Sequence, residues 1–366
     1  MAMPKIDTNQ IRNLIHRFVK TNPQKKVEPE LTSRTGLNVG RFNLVASEIT
    51  WHEGRPVLQR CARQQIVQDK PLPDQIKNFF QESGFKSKHV SLSLKGQGVV
   101  LRFLAFPKMS RTDFASSIRY EAEKYLPFSL SEVTFDYQII NEAAGQANEN
   151  GTTMPVILVA ARKTDVERLI QTVQAAGLKP DLIDIDILAC ANAFQHAQPD
   201  IVKNNCVGLI DLGATDSSLG ILNRETLVFS RDIAFGGSDL IEIIHRKLNI
   251  PHEKAFEFQS KLNLKEMDKI NIVREGLARL FQEIKSSITY YYNQHQSETA
   301  LETIYLSGGF SQLGVISKLL EEQLELPIKT WNPTDQMTFG EAVDKNSLHQ
   351  LVPYLPVSIG LALRPR

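Results

Sequence analysis

The sequence predicts an α/β chain made of two related halves. Three observations carry this. The stretch VGLIDLGATDSSLGIL at 207–222 repeats the pattern of GLNVGRFNLVASEI at 36–49, so that Asn38 aligns with Asp211, Val39 with Leu212 and Gly40 with Gly213. Strand-like and helix-like segments alternate along most of the chain, the mark of a sheet covered by crossover helices. In the second half, a Gly-Gly pair twice separates an apolar strand from an amphipathic helix, in AFGG at 234–237 and SGG at 307–309.

The elements follow in order. Residues 7–20 form a capped amphipathic helix, with Asp7 or Thr8 as cap and Ile11, Leu14, Ile15, Phe18 and Val19 on one face. Its basic side chains, with Lys25 and Lys26 beyond, suit an anionic surface or a partner, and a helix docked on its own domain fits equally. A polar linker runs to Arg34. From Gly36, GLNVGRFNLVASEITW and PVLQRCARQQIV read as successive strands with an Asn/Gly or Glu-Gly turn between them, and DQIKNFFQESG as a short helix closed by Gly84. HVSLSLKGQGVVLRFLAFP reads as a hairpin turning at Lys95-Gly96-Gln97-Gly98. TDFASSIRYEAEKYLPF is a helix capped by Thr112 or Asp113 that stops before Pro127. Its apolar stripe, Phe114, Ile118, Ala122 and Tyr125, reads as core packing. VTFDYQII is a strand, EAAGQANENGTT a polar loop, VILVAAR a buried strand, and the helix after it ends at Gly177. LIDIDILACANAF runs strand into helix, REGLARLFQEIKSSITYYYNQ is a long helix, and VPYLPVSIGLALR closes the chain as another.

Bulk composition narrows the function classes. The 366 residues are 42% apolar and 23% charged, with formal net charge +1, so no global electrostatic argument favours a nucleic-acid partner. Cys61, Cys190 and Cys206 have no metal-site or disulfide spacing and read as buried, inert thiols of a reducing cytosol. No apolar run reaches the roughly 18–20 residues of a membrane span, and the start of the chain has no signal-type apolar block. The expected location is the cytoplasm, with membrane contact only through a partner or through residues 7–20.

The repeated hairpin has a chemical logic. A strand ending in Asp-X-Gly lets backbone N–H groups approach a phosphate, and the Asp can hold a hydrated divalent cation. Asp211, Gly213, Ala214 and Thr215 form such a turn, and Ser217 and Ser218 can add hydroxyl donors. Gly236 and Gly237, then Gly308, Gly309 and Phe310, each precede a helix start that suits an anion or a nucleoside. Each motif is weak alone. A strand turn without ligand explains any one of them as well, and their order and spacing give them weight.

That order resembles the actin-like ATPase superfamily, which includes actin, the chaperone ATPases, sugar kinases and FtsA. IRYEAEKYLPFSLSEVTFDYQII at 118–140 looks like the EAEKYxPFxxxEVxxDxQ segment of the PilM family of type IV pilus machines. VILVAARKTDVERLIQTVQAAGLKPDLIDID at 156–186, IDLGATDSSLGIL at 210–222, RDIAFGG at 231–237 and IYLSGGFSQL at 304–313 resemble the same family in the same order. The resemblance runs from about Gly36 to the C-terminus. It implies a duplicated, ribonuclease H-like fold with a small α/β insert in the first half. The implied division is 1–35 as helix and linker, 36–85 with 181–205 as the first half, 86–180 as the insert, 206–349 as the second half, and 350–366 as a helix returning to the core. It also implies two phosphate hairpins facing across a cleft, with ATP and magnesium as the cofactor to test and Asp211 reaching the metal through water. The implied partner is the N-terminal cytoplasmic tail of a PilN-like inner-membrane protein, in a groove near Tyr125 and Phe128. Pilus motor ATPases and further copies of the chain are additional candidates.

The sequence departs from the family at the first hairpin. Where the family has GLDIGSS, this chain has Gly36-Leu37-Asn38-Val39-Gly40-Arg41-Phe42. Asn38 lacks the charge that favours hydrated magnesium, and Arg41 can either pair with a phosphate or fill the site. Phe256 and Gln259 stand where the resemblance expects a Glu and a Lys for the ribose, and Phe310 replaces a third Gly, where it can stack on adenine or block it. The reading is therefore a non-enzymatic scaffold at the cytoplasmic face of the inner membrane, serving a pilus or related type II secretion machine. The alternatives are an active ATPase or sugar-type kinase, or an FtsA-like filament former.

Overall fold

The computed structural model describes residues 33–140, 153–260, 262, 266–295 and 299–364. The expected helix at 7–20 and most of the polar loop after the strand VTFDYQII lie outside the described residues. The chain divides into two compact units. The first runs to Asn192 and takes in Met337–Asp344 and the chain from Val357; the second is Ala193–Gln336 with Lys345–Pro356.

In the first unit, three strands follow in antiparallel succession: β1 (Arg34–Val39), β2 (Asn43–His52) and β3 (Arg55–Gln65). Helix α1 (Leu72–Glu82) follows and buries Ile76, Phe79 and Phe80. β4 (His89–Leu94) then pairs parallel with β1. The chain continues as β5 (Val99–Pro107), α2 (Arg111–Glu123), β6 (Val133–Ile139), β7 (Thr153–Arg162), α3 (Lys163–Ala175), β8 (Lys179–Ile185) and α4 (Asp186–Ala197).

Two expectations change here. The β4–β5 stretch is not a hairpin. β4 sits between β1 and β8 in a six-stranded sheet, whereas β5 pairs with β7 in a separate three-stranded sheet of order β5-β7-β6. The Lys95–Gly98 turn is the passage between sheets, so β4, which the sequence reading assigns to the insert, belongs to the large sheet. The α2 cap is Ser110, whose hydroxyl accepts from the Asp113 N–H at 3.1 Å, in place of Thr112 or Asp113.

The three-stranded sheet has its own core. Phe106, Phe114, Ile118, Met154 and Val156 form one cluster, and Val100, Ala122, Leu126, Val133, Leu158 and Ala160 another. Phe114, Ile118 and Ala122 are thus packing residues, as their helical spacing suggested. Tyr125 departs from the stripe at 41% exposure, because α2 has ended at Glu123.

The second unit holds α5 (Pro199–Asn204), β9 (Cys206–Leu212), β10 (Ser217–Asn223), β11 (Thr226–Ile233), α6 (Gly237–Leu248), α7 (His252–Ser260), α8 (Met267–His295), β12 (Leu301–Ser307), α9 (Ile316–Leu324) and β13 (Ile328–Thr330). Its sheet order is β11-β10-β9-β12-β13. The first unit's sheet reads β14-β3-β2-β1-β4-β8, where β14 is Thr338–Phe339. Without that edge strand the two sheets have one topology: an antiparallel meander of three strands, then two parallel strands on the far side of the first. The repeat seen in two hairpins extends to whole sheets.

The chain ends in α10 (Lys345–Leu351) and α11 (Leu355–Leu363). α11 lies directly on β1. A Cβ on Gly36 would fall 2.0 Å from the Ser358 carbonyl oxygen, and one on Gly360 would fall 1.7 Å from that of Ala189. Ser47 and Ser358 share a buried hydroxyl hydrogen bond of 2.7 Å.

Candidate functional site

In the second unit, the central strand β9 carries Asp211 near its C-terminal end. Asp211 is 7% exposed, and its Oδ1 accepts from the Ser307 hydroxyl at 2.9 Å. Ser307 is its register partner on β12, so parallel pairing aims the carboxylate. The turn that follows is closed by the Gly213 N–H donating to Asp216 O at 3.1 Å. Among the described residues, the N–H groups of Ala214 and Thr215 donate no hydrogen bond, leaving two consecutive open donors beside a carboxylate. The Thr215 hydroxyl donates to Asp216 Oδ2 at 2.8 Å. The expectation for Ser217 and Ser218 fails. Both are buried, and their hydroxyls donate to Phe235 O (2.8 Å), just past β11, and to Asp232 Oδ1 (2.7 Å) on β11, so neither is offered to a ligand.

Gly236 and Gly237 dock the start of α6 onto this turn. The Gly237 N–H donates to Gly213 O at 3.1 Å, and the Ser238 N–H to Ala214 O at 2.7 Å. A Cβ on Gly236 would lie 2.5 Å from the Ala214 carbonyl carbon, a contact only Gly tolerates. The Gly236 N–H is held by Asp239 Oδ2 at 2.8 Å, so the positive end of the helix already has its carboxylate. The first N–H groups of α6 are thus spent on protein acceptors and are not offered to an anion.

Gly308 has φ +85, and a Cβ there would lie 2.2 Å from Leu212 O. Its N–H donates to Pro353 O at 2.7 Å, while Gly309 packs under the Tyr354 ring. The Gly309 and Phe310 N–H groups stay open among the described residues. The Phe310 ring is 5% exposed, and a Cβ on Gly237 would lie 3.2 Å from its Cδ2. The ring belongs to the core and has no open face for adenine. On α7, Phe256 is 58% exposed, and Gln259 keeps a buried Oε1 without a partner among the described residues.

The first unit repeats the turn in detail. The Gly40 N–H donates to Asn43 O at 2.9 Å, as Gly213 does to Asp216. Asn38 is half-buried, and its amide has no partner among the described residues. Arg41 is exposed, its guanidinium is likewise unpaired among the described residues, and its carbonyl accepts from the Gln68 amide at 3.3 Å. Gly36 leaves the set of site residues, because its missing side chain makes room for α11.

On the three-stranded sheet subdomain, Phe128 is half-buried beneath the Arg162 guanidinium, 4.4 Å from its ring centroid. Tyr125 is exposed beside it in sequence, and Tyr120, which the sequence reading did not single out, is 78% exposed. Sequence reasoning also missed Ser307 and Asp239, whose roles depend on register and helix entry.

The residues present in the second unit fit a phosphate: open N–H donors at two turns, next to one carboxylate able to hold hydrated magnesium. The family pattern described as Type IV pilus assembly protein PilM matches residues 56–366. The chain belongs to the PilM family. The match begins within β3, so the Asn38–Arg41 turn lies ahead of it. A solved PilM-PilN type IV pilus biogenesis complex contains a chain 25% identical to this one, with a TM-score of 0.78, covering 92% of this chain and 99% of that one. The ethanolamine utilization protein EutJ from Carboxydothermus hydrogenoformans is 15% identical with a TM-score of 0.53, covering 98% and 96%. The fold of this PilM-family chain is the duplicated α/β fold of the actin-like ATPases. No helix among the described residues is long and apolar enough to cross a membrane.

Proposed function

We propose that this PilM-family protein is a non-enzymatic scaffold that captures the N-terminal cytoplasmic tail of a PilN-like inner-membrane protein, and so works at the cytoplasmic face of a pilus machine. The observation that carries the proposal is the likeness, over nearly the whole chain, to the protein solved in a PilM-PilN complex. The three-stranded subdomain supplies the docking region. Tyr125 and the Arg162-covered ring of Phe128 stand where α2 ends, and an extended apolar tail suits such a surface.

Nucleotide, in this reading, is a ligand and not a substrate. Asp211 and the open N–H groups of Ala214 and Thr215 would hold phosphate and magnesium. When bound, magnesium nucleotide would supply charge that orders the two turns. Asn38 gives the first turn an amide in place of a carboxylate, and Phe310 offers no adenine platform. Both weaken the case for turnover.

The test is titration of a synthetic PilN-type N-terminal tail onto the full chain. Saturable binding is expected, weakened about tenfold or more by Tyr125→Ala, equivalent to roughly 1.4 kcal/mol. Absence of binding overturns the partner reading. Steady ATP hydrolysis abolished by Asp211→Ala overturns the non-enzymatic one.

A further inference from the structure

We propose that Glu242, His245 and His252 form a transition-metal site that clips α6 to α7. Their ligand atoms all lie within 4.8 Å of one another. Glu242 and His245 are three apart on α6, which places them on one helical face. His252 opens α7. The site therefore spans the short connection between the two helices.

The local hydrogen bonds prepare each ligand. His245 is tied to Ile250 twice: its backbone carbonyl accepts the Ile250 N–H at 3.2 Å, and its ring Nδ1 meets the Ile250 carbonyl at 2.5 Å. A carbonyl only accepts, so Nδ1 carries the hydrogen and Nε2 keeps its lone pair. This is the arrangement by which a metal-binding histidine is oriented. Glu242 Oε1 is occupied by Arg246 Nε, which leaves Oε2 for the cation. That oxygen now meets His252 Nε2 at 2.7 Å.

A metal would take the place of the hydrogen between Glu242 and His252. Bonds of about 2.0–2.1 Å at a near-tetrahedral angle separate two ligand atoms by roughly 3.3 Å. The Glu242–His252 contact would widen by about half an ångström. The two imidazoles are stacked, with centroids 4.0 Å apart and planes at 22°, so one ring must turn for the lone pairs to converge. His252 is exposed and free to turn, and water completes the shell. Two imidazoles and one carboxylate select zinc, copper or nickel over magnesium or calcium.

The experiment is calorimetric titration of the full chain with zinc alone, supported by cobalt absorption as a reporter of tetrahedral nitrogen–oxygen ligation. One zinc per chain is expected. His252→Ala and His245→Ala should each weaken binding at least tenfold with the circular dichroism spectrum unchanged. His89→Ala, which alters a surface histidine paired with Asp181 elsewhere, should leave it unaltered. Saturating zinc should also raise the thermal midpoint of the wild type but not of His252→Ala. Equal zinc binding by a His245→Ala/His252→Ala double variant, or none by the wild type at about 100 μM, overturns the proposal.

Discussion

Asn38 and Asp211 occupy the same register position in two copies of one hairpin. Asn38 pairs with Val45, one step before the Val39–Leu44 pair that closes the first turn. Asp211 pairs with Ser218, one step before the Leu212–Ser217 pair that closes the second. Both turns have the same length and the same Gly N–H to carbonyl bond. The duplication is therefore geometric, and the copies differ in side-chain chemistry: Asn38 against Asp211 and Asn43 against Asp216 set amides against carboxylates, and Arg41 and Phe42 stand against Ala214 and Thr215.

This relationship predicts the response to magnesium nucleotide. Asp211→Ala, which removes the carboxylate of the second turn, should weaken calorimetric ATP binding by about tenfold or more. Unchanged binding by Asp211→Ala would remove the second turn as the nucleotide site.

A second prediction concerns the C-terminus. Asp184 on β8 is fully buried, and Arg364 Nε lies 2.5 Å from its Oδ2. Arg34 donates to the Arg364 carbonyl at 2.7 Å, so the pair ties the chain end to β1. Burial pushes the Asp184 carboxyl above its ordinary pKa, and Arg364 opposes that shift. Arg364→Met strands the carboxylate and should cost about 3–5 kcal/mol in urea unfolding. Adding Asp184→Leu should recover most of the loss, since the apolar pair carries no uncompensated charge. A cost no larger than that of an ordinary surface change would mean that water already reaches the carboxylate.

Acid sensitivity should trace in part to His196 on α4. Its Nε2 is buried with no partner among the described residues, and burial lowers its pKa below the ordinary 6.5. As pH falls through the window below 6.5, the unfolded chain takes up a proton that the folded chain resists. Stability is then full above that window and declines within it. Denaturant midpoints measured from about pH 7.5 down to about pH 5 should drop for the wild type, and less steeply for His196→Leu. Parallel curves for the two proteins would remove His196 as a source.

Much of the framework was legible because it is written locally. Gly84 and Gly177 end helices in the left-handed region, and alternating or helical spacing marks nearly every element between them. The duplicated hairpin was legible for the same reason: an antiparallel turn is specified by adjacent residues. The β4–β5 stretch misled because Lys95-Gly96-Gln97-Gly98 has hairpin chemistry, yet strand pairing is a long-range choice, and β4 gains more by lying between β1 and β8 in a parallel sheet.

What the sequence determined by itself is therefore the two-half α/β plan and the paired turns at Asn38 and Asp211, since spacing and residue type are enough for each. Only the tertiary structure decided where hydroxyls and small residues point. Ser217 turns to the Phe235 carbonyl and Ser218 to Asp232, Gly36 yields to α11, and Phe310 enters the core against Gly237. Each outcome depends on contact with a residue distant in sequence, where burial and backbone approach, and not local pattern, set the energy. The Glu242, His245 and His252 cluster belongs to the same class, because its geometry exists only once α6 and α7 have packed.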